Sequence, residues 1–448
     1  MSLARKYRVS MGTVVAAFDR LLEQGYVDTS VGRGTYVRAA LPDAHPEHSA
    51  PRERAPASRR TLSARGRLFA AQPFPELFSN RSVETFRPDC PMLDACATDT
   101  WNRLAARRVS GDAHELTAHR EPLGFPPLRA AIAEYIAGAR GVRCTASQVV
   151  VTSGTQESLD LVARLLLDPG DRVWMEDPGY PAAAALLRAH GAEVIAVPVD
   201  AQGIDCAIGR QRFEAARLAY VTPICQFPLG VPMSLERGVK LLQWTKEAGA
   251  WIFEDDYDGQ LQFDGGPPAP LYSLDRARSV IYSSSFNRML FPSLRLGFLI
   301  LPPAYIESAA AALSITRRHH PMLEQATLAD FIAQGHLKPH LRRIREIYSA
   351  RRAALIAAVR TELGGVMQFG DSQGGLRIIG WLAAGMSEAE ARARAAARGI
   401  ASVALSALTI DRRMPPGLVL GIGGADPRAI RTAVKRLGGS SPGRRGAR

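Results

Sequence analysis

Between about residue 128 and residue 301, short runs of β-branched and aromatic residues, each closing on a polar or glycine turn, alternate with stretches whose apolar residues recur at helical spacing. The extended runs are QVVVTSG, RVWMED, EVIAVPV, LAYVTP, WIFEDD, VIYSSS and LRLGFLIL; the helical ones include PLRAAIAEYIAGARGV, ESLDLVARLLL, AAAALLRAHG and LERGVKLLQWTKEAGA. Strands that are apolar almost throughout must be covered on both faces. The pattern therefore predicts an α/β domain with a mostly parallel sheet and helices on each side. From about Glu307 the chain turns mostly helical and ends in a small α/β finish, GGLRIIGWL and GLVLGIG, with no internal repeat.

This domain is predicted over residues 74–438, with its smaller C-terminal part from about 307. Residues 1–40 are patterned separately. Residues 41–73, rich in Pro, Ala, Arg and Ser, read as a flexible linker, and residues 439–448 as a disordered tail. As a coil the linker would reach roughly 30 Å. A chain of 448 residues, 46% hydrophobic, has apolar surface enough for more than one core. Its net charge of +13 suits a nucleic-acid partner without requiring one. Five cysteines, Cys90, Cys96, Cys144, Cys206 and Cys225, form no C-x-x-C pair, so ordinary thiols are expected and no metal site. No apolar run would span a bilayer and the first residues do not form a signal peptide; a cytoplasmic protein with no membrane partner is expected.

In residues 1–40 a short helical piece is followed by a turn at Arg8 to Ser10, a helix from about Met11 to Gln24 with Val14, Val15, Phe18, Leu21 and Leu22 on one face, and two extended runs, GYVDT and GTYVR. Helix, turn, helix and basic wing is the layout of a winged helix, whose second helix enters the major groove. The residues Val9-Ser10-Met11-Gly12-Thr13-Val14, Leu21 to Tyr26 and Gly32 to Val37 resemble the GntR-type pattern "V-S-x-x-T-V", "L-x-x-x-G-Y", "G-x-G-T-x-V". That resemblance implies DNA contacts from Ser10 and Thr13 on the helix and from Arg33 and Thr35 on the wing. Two departures stand out: Met11 occupies a position where the family usually has arginine, and the chain opens about one helix into the family pattern, so the winged helix is expected to be partial, from a misplaced start or in a unit that folds poorly. A small dimerisation or docking module is the other reading of this segment.

Three motifs in the large domain carry chemistry. Ser153-Gly154-Thr155-Gln156 lies between a buried strand and a helix, where backbone N–H groups and a helix N-terminus can receive a phosphate, although many such turns hold no ligand. Glu176-Asp177-Pro178-Gly179-Tyr180-Pro181 puts an aromatic ring after the next strand, either over a planar ligand or simply packed in its loop. Glu254-Asp255-Asp256-Tyr257-Asp258 closes a buried strand; carboxylates there are costly unless they meet a cation such as a protonated ring nitrogen, or else reach solvent. The three together resemble the fold type I pyridoxal-phosphate aminotransferases, and their union with a GntR-type segment resembles the MocR/GabR regulators over nearly the whole chain. The resemblance implies phosphate contacts from Gly154, Thr155, Gln156, Ser285 and Arg295, ring stacking by Tyr180, a ring-nitrogen partner in Asp255 and a ring-oxygen partner in Tyr257.

The stretch Phe286 to Phe298 aligns without a gap to the family's "F-S-K-T-L-F-P-x-L-R-L-G-Y", and the Schiff-base lysine position is Arg288, flanked by Asn287 and Met289. A lysine amine can lose its proton, attack an aldehyde and act as a base; a guanidinium cannot. The nearest lysines in sequence are Lys240, Lys246 and Lys338. Family residues are also replaced at His119, Cys225, Arg377 and Val419, so the substrate half of the pocket reads as rewritten. Arg377 offers a fork to a carboxylate or is structural. The expectation is a DNA-binding transcriptional regulator whose aminotransferase-like domain is a homodimeric module binding an effector and non-covalent pyridoxal phosphate, with no catalytic residue and no transaminase turnover. The alternatives are an aminotransferase with a vestigial DNA-binding segment and a decayed, non-binding paralogue.

Overall fold

The computed structural model describes residues 3–30, 32–39, 61–72, 85–88, 90–92, 97–111, 116, 121–263, 266–370 and 374–439. Cys96, His119, residues 41–60 and the tail 440–448 lie outside the described residues. The chain divides into two compact units, Met1–Leu62 and Ser63–Arg448.

In the first unit the helices Leu3–Tyr7 and Met11–Glu23 precede an antiparallel hairpin of β1 (Val27–Ser30) and β2 (Gly34–Val37). Ser10 starts the second helix because its Oγ accepts the Thr13 N–H at 3.1 Å, which satisfies one of the otherwise open donors of the first turn. Gly25, at φ 75°, turns the chain out of the helix into the hairpin, a conformation costly for any residue with a Cβ. Thr29 faces Thr35 across the hairpin, and Asp28 pairs with Arg38 at 2.8 Å. The helix Met11–Glu23 has no buried residue: Val14 and Phe18 are half-buried, and Val15, Leu21 and Leu22 are exposed.

The opening of the second unit corrects the expected linker. Residues 61–72 contain the helix Ala64–Ala70, capped by Ser63 Oγ accepting the Gly66 N–H at 2.9 Å. The Phe69 ring lies edge-on to His190 at 5.7 Å between centroids, although the residue stays partly exposed.

The main sheet contains β3 (Val149–Thr152), β4 (Arg172–Asp177), β5 (Glu193–Asp200), β6 (Gly203–Ile204), β7 (Leu218–Val221), β8 (Trp251–Asp256), β9 (Val280–Ser285) and β10 (Gly297–Ile300), in the order β3-β10-β9-β8-β7-β4-β5-β6. From β9 to β5 the pairing is parallel, while β10 is antiparallel to both β9 and β3. Alternate residues point to opposite faces. On β4, Trp174 stacks on Trp244 of the helix Leu235–Ala248, with ring centroids 3.8 Å apart. Val173 and Met175 pack on the other side with Leu159 and Val162 of the helix Thr155–Leu166. This double cover is why the strands read as continuous apolar runs. The carboxyl ends of β3, β4, β7, β8 and β9 consequently open on one edge, where open α/β sheets hold their ligands.

The smaller part is an antiparallel sheet of β11 (Met367–Phe369), β12 (Arg377–Leu382), β13 (Val403–Ala404) and β14 (Gly417–Gly421), ordered β11-β12-β14-β13. Val419 is fully buried there with Phe227, Ile379 and Leu405. Among the described residues no helix is long and apolar enough to cross a membrane.

Candidate functional site

Asp255, at the end of β8, is held from both sides. The Tyr220 hydroxyl on β7 donates to its Oδ2 at 2.7 Å and the Thr155 hydroxyl to its Oδ1 at 2.9 Å. Burial pushes its carboxyl up to about 6, against the lowering effect of those two donors. The positive charge of Arg288, which lines the same cavity as Asp255, is a further but smaller influence holding it down. Glu176, one residue before the end of β4, is also buried; Thr222 donates to it from its N–H at 3.2 Å and from its hydroxyl, and burial pushes it up to about 7. Asp177 accepts the N–H groups of Ile410, Asp411 and Arg412 at 2.8, 2.9 and 2.7 Å, which ties the turn carrying Tyr180 to the loop before β14.

The turn after β3 forms a cradle. The helix Thr155–Leu166 has Gly154 at its N-cap and no side chain capping it, so its first N–H groups face the edge of the sheet. Gly154 has φ 120°, and a Cβ there would lie 3.0 Å from Asn287 Nδ2 and 3.6 Å from Ser285 Oγ. Gln156 donates to the Ala182 carbonyl at 3.1 Å, while its buried Oε1 has no hydrogen-bond partner. Asn287 locks the cradle: its Nδ2 donates to the Ser153 carbonyl at 3.2 Å, its Oδ1 accepts the Leu296 N–H at 3.0 Å, and its own N–H donates to Ser285 Oγ at 3.2 Å. Glu157 braces the turn from behind, accepting the Ser153 N–H at 2.6 Å and pairing with Arg317 and His320 at 3.0 and 2.9 Å. Arg295, in the left-handed region at φ 50°, is exposed and does not line the cavity described next.

A cavity of about 80 Å³ is lined by Thr155, Tyr180, Tyr220, Thr222, Phe227, Asp255, Tyr257, Arg288 and Arg377. Arg288 pairs with the buried Asp258 at 3.3 Å and lies over the Tyr257 ring, 5.0 Å from its centroid. Arg377, at the start of β12, is only 6% exposed; its guanidinium is 4.2 Å from the Phe227 ring centroid and 5.0 Å from that of Tyr257. Tyr257 donates its hydroxyl to the Cys225 carbonyl at 2.7 Å, and burial pushes the Cys225 thiol up to about 12. The structure places Gly154, Thr155, Gln156, Tyr180, Asp255, Tyr257, Ser285 and Arg288 at one edge of the sheet, and Arg295 is exposed. Sequence reasoning missed Tyr220, Asp258 as the partner of Arg288, and the bridging by Asn287. Tyr220 sits in an apolar strand and gave no signal distinct from core.

Residues 95–413 match the family model for aminotransferase class I and II. The chain is 36% identical over 436 residues to the probable rhizopine catabolism regulatory protein MocR of Rhizobium meliloti, covering 97% of this chain and 87% of that one. The chain belongs to the MocR-type regulators of the aminotransferase class I and II family. Other similar proteins are the transcriptional regulator TauR of Rhodobacter capsulatus, 31% identical with 83% of this chain and 77% of that one covered, and the pyridoxine biosynthesis regulator PdxR of Corynebacterium glutamicum, 28% identical with 97% and 89% covered. The structure resembles kynurenine aminotransferase of Pyrococcus horikoshii, solved with PMP, at TM-score 0.74 and 25% identity, covering 80% of this chain and 91% of that one. It also resembles the α-aminoadipate aminotransferase LysN of Thermus thermophilus, solved with N-(5'-phosphopyridoxyl)-L-leucine, at TM-score 0.72 and 27% identity, covering 80% and 94%. In this MocR-type chain Lys240, Lys246 and Lys338 are all exposed on helices, and none lines the cavity.

Proposed function

We propose that this MocR-type chain regulates transcription: the Met1–Leu62 unit contacts DNA through its second helix and its hairpin, and the aminotransferase-like unit is a homodimeric module that holds pyridoxal phosphate without a covalent bond and responds to a small effector. The observation that carries the absence of turnover is Arg288, which stands at the lysine position and is committed to Asp258 at 3.3 Å. A guanidinium stays protonated at neutral pH, so it neither attacks an aldehyde nor takes up a proton. Acting on DNA, such a protein works in the cytoplasm.

The residues present fit the cofactor. The uncapped start of the helix Thr155–Leu166, whose first N–H groups are open donors, and the glycine that keeps the cradle open form a polar recess at the right sheet edge. Gly154, Thr155, Gln156 and Ser285 would hold the phosphate, Tyr180 would cover the ring, Asp255 would hold the ring nitrogen and Tyr257 the ring oxygen. When bound, pyridoxal phosphate supplies an electron-withdrawing ring. The chain's own contribution is orientation: Tyr220 and Thr155 fix Asp255, and Asn287 fixes the phosphate cradle. On the DNA side, Arg33 and Thr35 lie on the exposed hairpin, whereas the Ser10 hydroxyl is used in capping its helix and bonds to that of Thr13 at 2.8 Å, leaving these two to act through local geometry as much as direct contact.

The test is a gel-shift titration of an operator fragment with and without pyridoxal phosphate, beside a half-transamination assay across the common amino acids. Sequence-selective shifting with no keto-acid product is expected. Keto-acid formation, or binding that ignores sequence and vanishes with salt, overturns the proposal.

A further inference from the structure

The amino ends of β3 and β9 open on a cavity of about 480 Å³, at the sheet edge opposite the phosphate cradle. Gln148 stands just before β3, Val280 opens β9, and Pro302 comes shortly after β10, which runs the other way. The strand Val280–Ser285 starts in this cavity and ends in the cradle, so roughly 17 Å separates the two places. A cavity of this volume is of the size that takes a small organic molecule.

The fold fixes the walls. Glu254, buried in β8, accepts the N–H groups of Leu271 and Tyr272 at 2.9 and 2.8 Å. Ser273 Oγ donates to the Gly141 carbonyl at 3.1 Å, which ties the short helix Leu271–Leu274 to the end of the helix Pro126–Arg140. Asp275 builds the turn into β9: its carboxylate accepts the N–H groups of Ala277, Ser279 and Val280 at 2.8, 2.6 and 2.8 Å. That turn holds Arg278 in the left-handed region at φ 58°, a conformation that disfavours any side chain and persists only where the surroundings impose it. The electrostatics are one-sided. Arg143 and Arg278 both line the cavity, both are exposed, and among the described residues neither makes an ion pair. Asp275, the acidic group of the lining, is taken up by its own turn. Burial raises the Tyr272 phenol above its ordinary range, so it remains a neutral hydroxyl, and its ring joins Pro302 and Pro303 in the apolar part of the wall.

One guanidinium fork satisfies a carboxylate. A phosphate monoester carries nearly two charges at neutral pH and three terminal oxygens, so it can accept from two forks that come from different chain segments. The rest of the cavity is then left for the group that the phosphate esterifies. We propose that this cavity is a second ligand site, for a phosphate monoester bearing a flat ring, of the size of a nucleoside monophosphate. The phosphate lies between Arg143 and Arg278, and the ring lies against Tyr272 and the two prolines. The site uses none of the residues assigned to pyridoxal phosphate and does not depend on that reading.

The experiment is isothermal titration of the full chain with AMP, adenosine, ribose 5-phosphate and inorganic phosphate. AMP is expected to bind; adenosine, which lacks the charge-assisted bonds, and ribose 5-phosphate, which lacks the ring, should each bind about tenfold or more weakly. Arg278→Gly, which suits the left-handed turn and so should leave the urea midpoint equal or higher, and Arg143→Gln should each weaken AMP about tenfold. Either variant alone reads the site should the other not fold. Absorbance titration with pyridoxal phosphate reads the cradle separately, and neither substitution should shift it. No binding of AMP at millimolar concentration, adenosine or inorganic phosphate binding as tightly as AMP, or AMP affinity untouched by both substitutions overturns the proposal. Displacement of AMP by a random-sequence duplex at equal phosphate concentration would give the two arginines to nucleic acid and overturn it as well.

Discussion

Asn287→Ala removes a side chain that ties three segments together. Its amide donates to the Ser153 carbonyl at 3.2 Å and accepts the Leu296 N–H at 3.0 Å, so both bonds are lost, and the Leu296 N–H is left in a buried stretch. At about 1 kcal/mol for each bond, plus a similar penalty for the stranded donor, the expected loss is on the order of 2 to 3 kcal/mol. Part of that loss falls on folding and part on the order of the cradle between Ser153 and Ser285. If half falls on the cradle, affinity for pyridoxal phosphate drops about tenfold. The assay compares the quenching of protein fluorescence by pyridoxal phosphate and by pyridoxal, which lacks the phosphate, in parent and variant, with urea denaturation run alongside. The variant should weaken pyridoxal phosphate binding while pyridoxal binding stays put. Equal losses for the two ligands would mean that Asn287 supports the whole unit rather than the phosphate cradle, and no change in either affinity or stability would refute the geometry itself.

Three further outcomes follow from other parts of the molecule. Asp255, Glu176 and Glu254 are raised by burial to about 6, 7 and 8, so the folded state holds their protons longer than the unfolded chain; the stability from those protons is complete below about pH 4 and is lost as pH rises through 6 to 8. Asp255→Asn should flatten the first part of that decline in urea midpoints, and an unchanged profile would contradict the assignment. Glu157 runs the other way: burial raises it, but His320, Arg317 and the Ser153 N–H outweigh that and hold it at about 2, so its contribution is present above about pH 4.5 and lost toward pH 2; Glu157→Gln should remove that acid-side loss. On the hairpin, Arg33→Ala should weaken DNA binding evenly across sequences and reduce the salt slope by about 1, as expected of a phosphate contact; a change in sequence preference would instead make Arg33 a base reader.

Much of the second unit was legible because each strand is buried on both faces and therefore apolar throughout, which sets β3 to β9 apart from the amphipathic helices between them. Asp255 was legible for the converse reason: a carboxylate closing such a strand demands a partner. The antiparallel insertion of β10 between β3 and β9 was not, since LRLGFLIL reads the same in either direction, and the role of Asn287 depends on that insertion bringing Leu296 beside the turn at Ser153. Tyr220 was hidden because its ring packs as core while its hydroxyl does the polar work. The helix Ala64–Ala70 was missed because composition averaged over 41–73 hides a helix of about two turns capped by Ser63. Arg377 could be placed on the protein surface or in the pocket from sequence alone; the aromatic rings of Phe227 and Tyr257 decide for the pocket.

Arg288 in the lysine position should preclude covalent anchoring of pyridoxal phosphate while the pocket still binds it. Purified parent protein and Arg288→Lys are each titrated with pyridoxal phosphate, reduced with borohydride, and analysed by mass spectrometry. The parent should bind reversibly and yield no reduced adduct, whereas the variant should carry one at residue 288; an adduct trapped on any lysine of the parent, or a variant that gains nothing, would contradict the account.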